Sequence, residues 1–215
     1  MIYMKFNKDM LLLYAITNRC DEDKSLFLKQ VEDALKGGVT ILQLREKNLG
    51  REEFLQEAKE VKTLCVKYNV PLIINDKVDI ALEAGADGVH VGLEDMKVEE
   101  IRKMAPPDFI IGATAKTKEQ AETAEKSGAD YLGVGAVFPS PTKKNAVRIT
   151  NEMLKEICNS VKIPAVAIGG ISMENIDTIE KNVVDGVALV SAIFGADNIL
   201  EASRQMKIKA EEIVK

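Results

Sequence analysis

Apolar positions along the chain fall into short runs, each followed by a charged stretch with helical spacing. The runs are 11–17 (LLLYAIT), 39–45 (VTILQLR), 70–75 (VPLIIN), 87–91 (DGVHV), 109–113 (FIIGA), 130–134 (DYLGV), 163–168 (IPAVAI) and 185–190 (DGVALV). Amphipathic segments lie near 23–36, 51–68, 76–84, 97–104, 117–127, 150–160, 172–181 and 198–214. Within 51–68, Phe54, Leu55, Ala58, Val61, Leu64 and Cys65 recur at the spacing of one helical face, with charges between them. Strand patterns alternating with helix patterns predict repeated βα units and a parallel sheet.

A weak internal repeat supports this. KGGVTILQL, EAGADGVHV, KSGADYLGV and KNVVDGVALV share one arrangement: a helix end, small turn residues, then a buried strand. Glycine after a helix supplies the left-handed turn into the next strand. Eight such units close into an α/β fold of the (β/α)8 TIM-barrel type, a single domain over residues 1–215. An open doubly wound sheet is the alternative, but no GxGxxG follows the first strand.

Composition narrows the class of function. The 215 residues carry 29 Lys and Arg against 34 Asp and Glu, a net charge of −5. Such a chain is a poor nucleic-acid binder, so any anion must be held by local geometry. No stretch approaches the roughly 20 apolar residues of a membrane span. The N-terminus lacks the pattern of a secretory leader. Cys20, Cys65 and Cys158 form neither a disulfide framework nor a CxxC site. A reduced, cytoplasmic enzyme or binding domain is expected, a candidate homo-oligomer, with small-molecule rather than membrane or nucleic-acid partners.

In a barrel of this kind chemistry gathers at the C-terminal ends of the strands. In TILQLREK, Thr40, Leu42 and Leu44 share one face, and Ile41, Gln43, Arg45 and Lys47 share the other. The polar set either points outward to helix carboxylates or lines the barrel mouth. Pointing inward, it forms a cationic cradle for a multiply charged anion, with Arg offering a two-donor grip and Lys a compact charge. Asn75 and Asp76 end the third strand and either cap the next helix or face the mouth. Glu94 and Asp95 follow the fourth strand. Carboxylates above adjacent strands suit Mg²⁺ bridged to phosphate oxygens. His90, the sole histidine, reads as a core residue rather than a catalytic one, and its solitude excludes a multi-histidine metal centre.

The longest irregular stretch, GAVFPSPTKKNAVRIT, carries Pro139 and Pro141, the hydroxyls of Ser140 and Thr142, and the charges of Lys143 and Lys144. It reads as a binding loop or lid. After the seventh and eighth strands, Gly169 and Gly170 allow close backbone approach, while Ser172 and Ser191 stand near helix starts, the usual phosphate site of this fold. Two anion sites at one mouth, one strongly cationic and near carboxylates, suggest a transferase that displaces pyrophosphate from one substrate with a nucleophile on another.

At these residues the sequence resembles the thiamine phosphate synthase family of (β/α)8 enzymes. The matching stretches are QLREK at 43–47, ND at 75–76, GLED at 92–95, SPTKK at 140–144, IGGI at 168–171 and VSAI at 190–193. The resemblance implies Mg-dependent joining of 4-amino-5-hydroxymethyl-2-methylpyrimidine diphosphate to a thiazole phosphate, or its 2-carboxy form, with release of pyrophosphate. It implies that Gln43, Arg45, Lys47, Asn75, Thr114 and Lys143 bind the pyrimidine diphosphate, with Arg45, Lys47 and Lys143 catalytic. Asp76 and Asp95 would hold Mg²⁺, and Ser140, Thr142, Gly170, Val190 and Ser191 would bind the thiazole phosphate. Loss of pyrophosphate would leave a pyrimidinylmethyl cation for the thiazole nitrogen to capture, with no protein nucleophile.

Two positions depart from the family pattern: Leu93 stands where Gln is usual, and GATAK carries Thr114 and Lys116 where many members have Ser and His. The chief rival is a thiazole tautomerase on the same barrel, which has no need of Arg45, Lys47, Asp76, Asp95 and Lys143 together. A phosphosugar isomerase explains IGGIS but not the diphosphate cradle. A non-catalytic regulator would dispense with the metal carboxylates.

Overall fold

The computed structural model describes residues 5–19, 23–139 and 148–214. Eight strands close into an all-parallel barrel in chain order. They are β1 (Leu13–Ile16), β2 (Ile41–Leu44), β3 (Leu72–Asn75), β4 (Gly88–Val91), β5 (Ile110–Ala115), β6 (Tyr131–Gly135), β7 (Ala165–Ile168) and β8 (Gly186–Leu189). The helices around it are α1 (Lys24–Lys36), α2 (Arg51–Tyr68), α3 (Val78–Ala84), α4 (Val98–Met104), α5 (Lys118–Lys126), α6 (Asn151–Asn159), α7 (Ser191–Phe194) and α8 (Ile199–Val214). The fold is the expected (β/α)8 TIM barrel. Side-chain caps start four of the described helices: Asp23 for α1, Thr117 for α5, Thr150 for α6 and Asn198 for α8.

Strand alternation divides the core in two. Residues such as Leu42, Leu44, Leu72 and Ile74 point outward and pack under the helices. Tyr14, Ile41, Ile73, Ile110, Tyr131, Val166 and Ala188 point inward and fill the barrel. A 3-10 turn, Lys8–Leu11, precedes β1 and was not expected. Leu11 is fully buried in the inner core, and the ring of Phe6 stacks on Tyr131 at 5.9 Å.

The repeat seen in the sequence has a physical meaning. The polar residue just before each even-numbered strand clamps the start of the strand before it. Asp87 accepts from Leu72 N–H at 2.7 Å and donates its own N–H to Leu72 C=O at 2.8 Å. Asp130 makes the same pair with Ile111, and Asp185 with Ala165. Thr40 repeats it on Leu13 through its hydroxyl oxygen and N–H. These side chains satisfy N–H groups at the strand starts. Left-handed turns stand two residues before the clamps at Gly38 (φ 100°), Gly85 (φ 66°) and Gly128 (φ 94°), whereas in the fourth repeat the left-handed residue, Asn182 (φ 61°), lies one position earlier relative to Asp185.

One predicted helix is absent. Residues 172–181 hold only a 3-10 turn, Ile176–Thr178. Asn175 explains the difference: its Oδ1 accepts from Ser172 N–H and its Nδ2 donates to Gly170 C=O. Such local side-chain bonds compete with helical pairing. The short helix α7 after β8 is the converse case, an element too brief to show a period.

Candidate active site

Thr17 fixes the place where β2 ends. Its N–H donates to Gln43 C=O at 2.9 Å, and its fully buried hydroxyl accepts from Arg45 N–H at 2.9 Å. Gln43, Arg45 and Lys47 therefore leave the strand on the inner face and line one cavity of about 230 Å³ at the C-terminal mouth. Gln43 is buried, and its Nε2 donates to the hydroxyl of Tyr14 at 2.7 Å. Among the described residues no carboxylate lies within ion-pair distance of the Arg45 guanidinium, which leaves its charge available to a ligand. Outward pairing with helix carboxylates, the alternative for this polar set, does not occur.

The end of β3 supplies the facing acids. Asp76 sits at φ 61°, a left-handed conformation uncommon for a non-glycine residue. Its Oδ2 accepts from Lys47 Nζ at 2.6 Å and its Oδ1 from Asn75 Nδ2 at 2.5 Å. Neither Asn75 nor Asp76 caps α3, whose N-cap is Lys77 without a side-chain bond. Beyond β4, Asp95 folds back so that its Oδ2 accepts from Gly92 N–H at 2.8 Å. Asn75, Asp76 and Asp95 all line the same cavity. Glu94 does not.

The far wall comes from β5, β7 and β8: Thr114, Gly170, Val190 and Ser191 line it, and Ser191 opens α7. Gly170 is forced by two demands. Its φ is 65°, and a Cβ there would stand 2.2 Å from the carbonyl oxygen of Pro139. Ser172 is not brought to the cavity; its hydroxyl bonds Glu174 within the turn. Ten of the sequence-predicted site residues thus share one cavity. Ser140, Thr142 and Lys143, with Pro141 and Lys144, lie outside the described residues, as does Cys20.

A barrel mouth with a cationic wall, facing carboxylates and a glycine-serine wall is now joined by a match in sequence. A family model described as thiamine monophosphate synthase matches residues 13–193. The chain belongs to the thiamine monophosphate synthase family. A thiamine-phosphate synthase of Clostridium tetani is 47% identical over 195 residues, covering 90% of this chain and 93% of that protein. A thiamine-phosphate synthase 2 of Streptococcus pneumoniae is 47% identical over 203 residues, covering 94% of this chain and 96% of that protein. Among solved structures, a thiamine phosphate pyrophosphorylase from Pyrococcus furiosus superposes with a TM-score of 0.88 at 40% identity, covering 97% of this chain and 99% of that one.

The chemistry of the donor set fits the magnesium that this synthase family implies. Asp76 and Asp95 offer hard oxygen donors at one cavity, and no described group of three or more His, Cys, Asp or Glu forms a protein-only cage. Mg²⁺ is commonly held this way, by one or two carboxylates with substrate phosphates and water. Of the two departures from the synthase pattern, Leu93 is half-exposed and does not line the cavity, whereas Lys116 does.

Sequence reasoning missed Tyr14 and Tyr131 and half-read His90. His90 is buried, as a core histidine would be, yet it lines the cavity and bonds both Tyr131 and Thr114. Burial pushes the phenols of Tyr14 and Tyr131 well above their ordinary range, so both keep their protons. Gly112 makes the room: a Cβ there would stand 2.1 Å from the Tyr131 ring. A glycine inside a strand marks close approach by another group, and that was the available signal.

Proposed function

We propose that this chain, working as one barrel domain over residues 1–215, joins 4-amino-5-hydroxymethyl-2-methylpyrimidine diphosphate to 4-methyl-5-(2-phosphoethyl)thiazole, or its 2-carboxy form. The products are thiamine phosphate and pyrophosphate. Family membership supports the reaction class, transferase, and small-molecule substrates. The single observation that carries the residue assignment is the convergence of Arg45, Lys47, Asp76 and Asp95 on one cavity. A thiazole tautomerase has no use for that combination. The described helices include none long and apolar enough to cross a membrane, and a cytoplasmic location, with no nucleic-acid partner, is part of the proposal.

Arg45, Lys47 and, from the loop outside the described residues, Lys143 hold the diphosphate and stabilise the charge that builds on it. The carbon–oxygen bond to pyrophosphate breaks with its electron pair on the leaving group. The thiazole nitrogen then donates its lone pair to the exposed methylene carbon. Asp76 and Asp95 would hold Mg²⁺, which supplies charge neutralisation on the leaving pyrophosphate. Gln43, Asn75 and Thr114 bind the pyrimidine diphosphate. Gly170, Val190 and Ser191, together with Ser140 and Thr142, bind the thiazole phosphate.

Purified protein incubated with both substrates and Mg²⁺ should release pyrophosphate in step with thiamine phosphate. Omitting either the thiazole phosphate or Mg²⁺ should stop product formation. Turnover that is unaffected by chelation overturns the metal assignment, and no product under any of these conditions overturns the reaction.

A further inference from the structure

Five side chains from five strands form one continuous hydrogen-bonded chain inside the barrel. Gln43 Nε2 lies 2.7 Å from Tyr14 Oη, which lies 2.7 Å from Tyr131 Oη. Tyr131 Oη lies 3.2 Å from His90 Nδ1, and His90 Nε2 lies 3.1 Å from Thr114 Oγ1. Both ends of the chain, Gln43 and Thr114, line the cavity. Gly112 and Gly133 clear its path: a Cβ on either would press on the imidazole of His90.

Counting protons fixes the direction. The Gln43 amide donates to Tyr14, so the Tyr14 hydroxyl must spend its own proton on Tyr131, the other partner within reach. Tyr131 in turn must donate to His90 Nδ1. The imidazole is then neutral with its proton on Nε2, which donates to Thr114 Oγ1. An imidazolium would donate from both nitrogens and leave the buried Tyr131 proton without an acceptor, a costly arrangement. At the two ends, the Gln43 carbonyl oxygen has no donor among the described residues and remains accessible from the cavity, and the Thr114 hydroxyl proton is free to turn toward it.

We propose that Tyr14, Tyr131 and His90 are positioning residues that lock the cavity into one polarity, an acceptor at Gln43 and a donor at Thr114. This rests on the reaction proposed above: of its two substrates, the pyrimidine diphosphate has the matching groups, an exocyclic amine to donate and ring-nitrogen or phosphate oxygen acceptors. The relay therefore acts on recognition of that substrate and leaves the thiazole phosphate untouched. An analogue with an oxo group in place of the amine would set one acceptor against another, a mismatch that hydrogen-bonding sites reject strongly.

His90 is the sole histidine of the chain, so its imidazole gives one unambiguous set of ¹⁵N signals in the intact protein. The wild type at neutral pH should show a bare Nδ1 and a protonated Nε2. A protonated Nδ1, alone or together with Nε2, overturns the relay whatever the enzyme's activity. Tyr131→Phe removes the donor to Nδ1 and should release the tautomer into a mixture; an unchanged tautomer overturns the relay. Tyr14→Phe should raise KM for the pyrimidine diphosphate about tenfold or more while KM for the thiazole phosphate stays put. Equal changes in both constants, or none, overturn the positioning role. A correct tautomer in a protein that does not turn over the pyrimidine diphosphate leaves the relay standing and overturns the substrate reading instead.

Discussion

Lys47 Nζ lies 2.6 Å from Asp76 Oδ2, a bridge between the ends of β2 and β3 across 29 residues of sequence. The lysine is half-exposed and the aspartate mostly shielded. The pair neutralises two of the charges at the mouth, while the Arg45 guanidinium has no ion-pair partner among the described residues. The pair also holds Asp76 in its left-handed conformation beside Asn75.

That division of labour makes Arg45 and Asp95 the sharper tests of function. Arg45→Ala and Asp95→Ala should each cut turnover by about 100-fold or more, the scale of losing a group that stabilises transition-state charge. Neither side chain supports the core, so circular dichroism and the urea midpoint should stay near wild type. Near-normal product formation by either variant rejects the role assigned to it.

The strand clamps predict the opposite pattern: lost stability with the site intact. Asp87 is buried and also accepts from Lys62 Nζ at 2.6 Å. Asp87→Ala strips an acceptor from Leu72 N–H and leaves the ammonium unpaired, which should lower unfolding free energy by about 3 kcal/mol. Asp87→Asn keeps an oxygen for the N–H and should lose less. Urea titration reads both, and KM values of the folded protein should not move.

A buried acid pair next to the site sets a pH dependence. Glu46 and Glu57 each place an Oε1 away from solvent with no donor among the described residues, and the contact between the two carboxyls calls for one proton shared between them. Burial, then the charge of Glu46, raises Glu57 from its ordinary 4.5 to about 7, against the pull of Arg19 and Lys24. Burial likewise raises Glu46, opposed by Arg19 and Arg45. The native state then binds a proton that the unfolded chain has released. Stability should therefore fall as pH rises from 4.5 through about 7, by roughly 3 kcal/mol at most. Glu57→Gln should flatten this slope. Stability that rises over the same window contradicts the shared proton.

Much of this molecule was legible in its sequence because the relevant patterns are local. Period-two and period-3.6 apolar spacing named all eight strands and seven of the surrounding helices, since each pattern is set by a side chain's own strand or turn. The same alternation put Gln43, Arg45 and Lys47 on one face, and the fold rule put that face at the mouth. The predicted helix over 172–181 failed because local periodicity could not show Asn175 bonding back to Ser172 and Gly170. Tertiary structure alone decided which strand ends oppose one another. Lys47 meets Asp76, and Tyr14 meets Gln43 and Tyr131, only because barrel closure fixes the register between strands. Inter-strand register depends on contacts among residues far apart in sequence, and no local spacing encodes it.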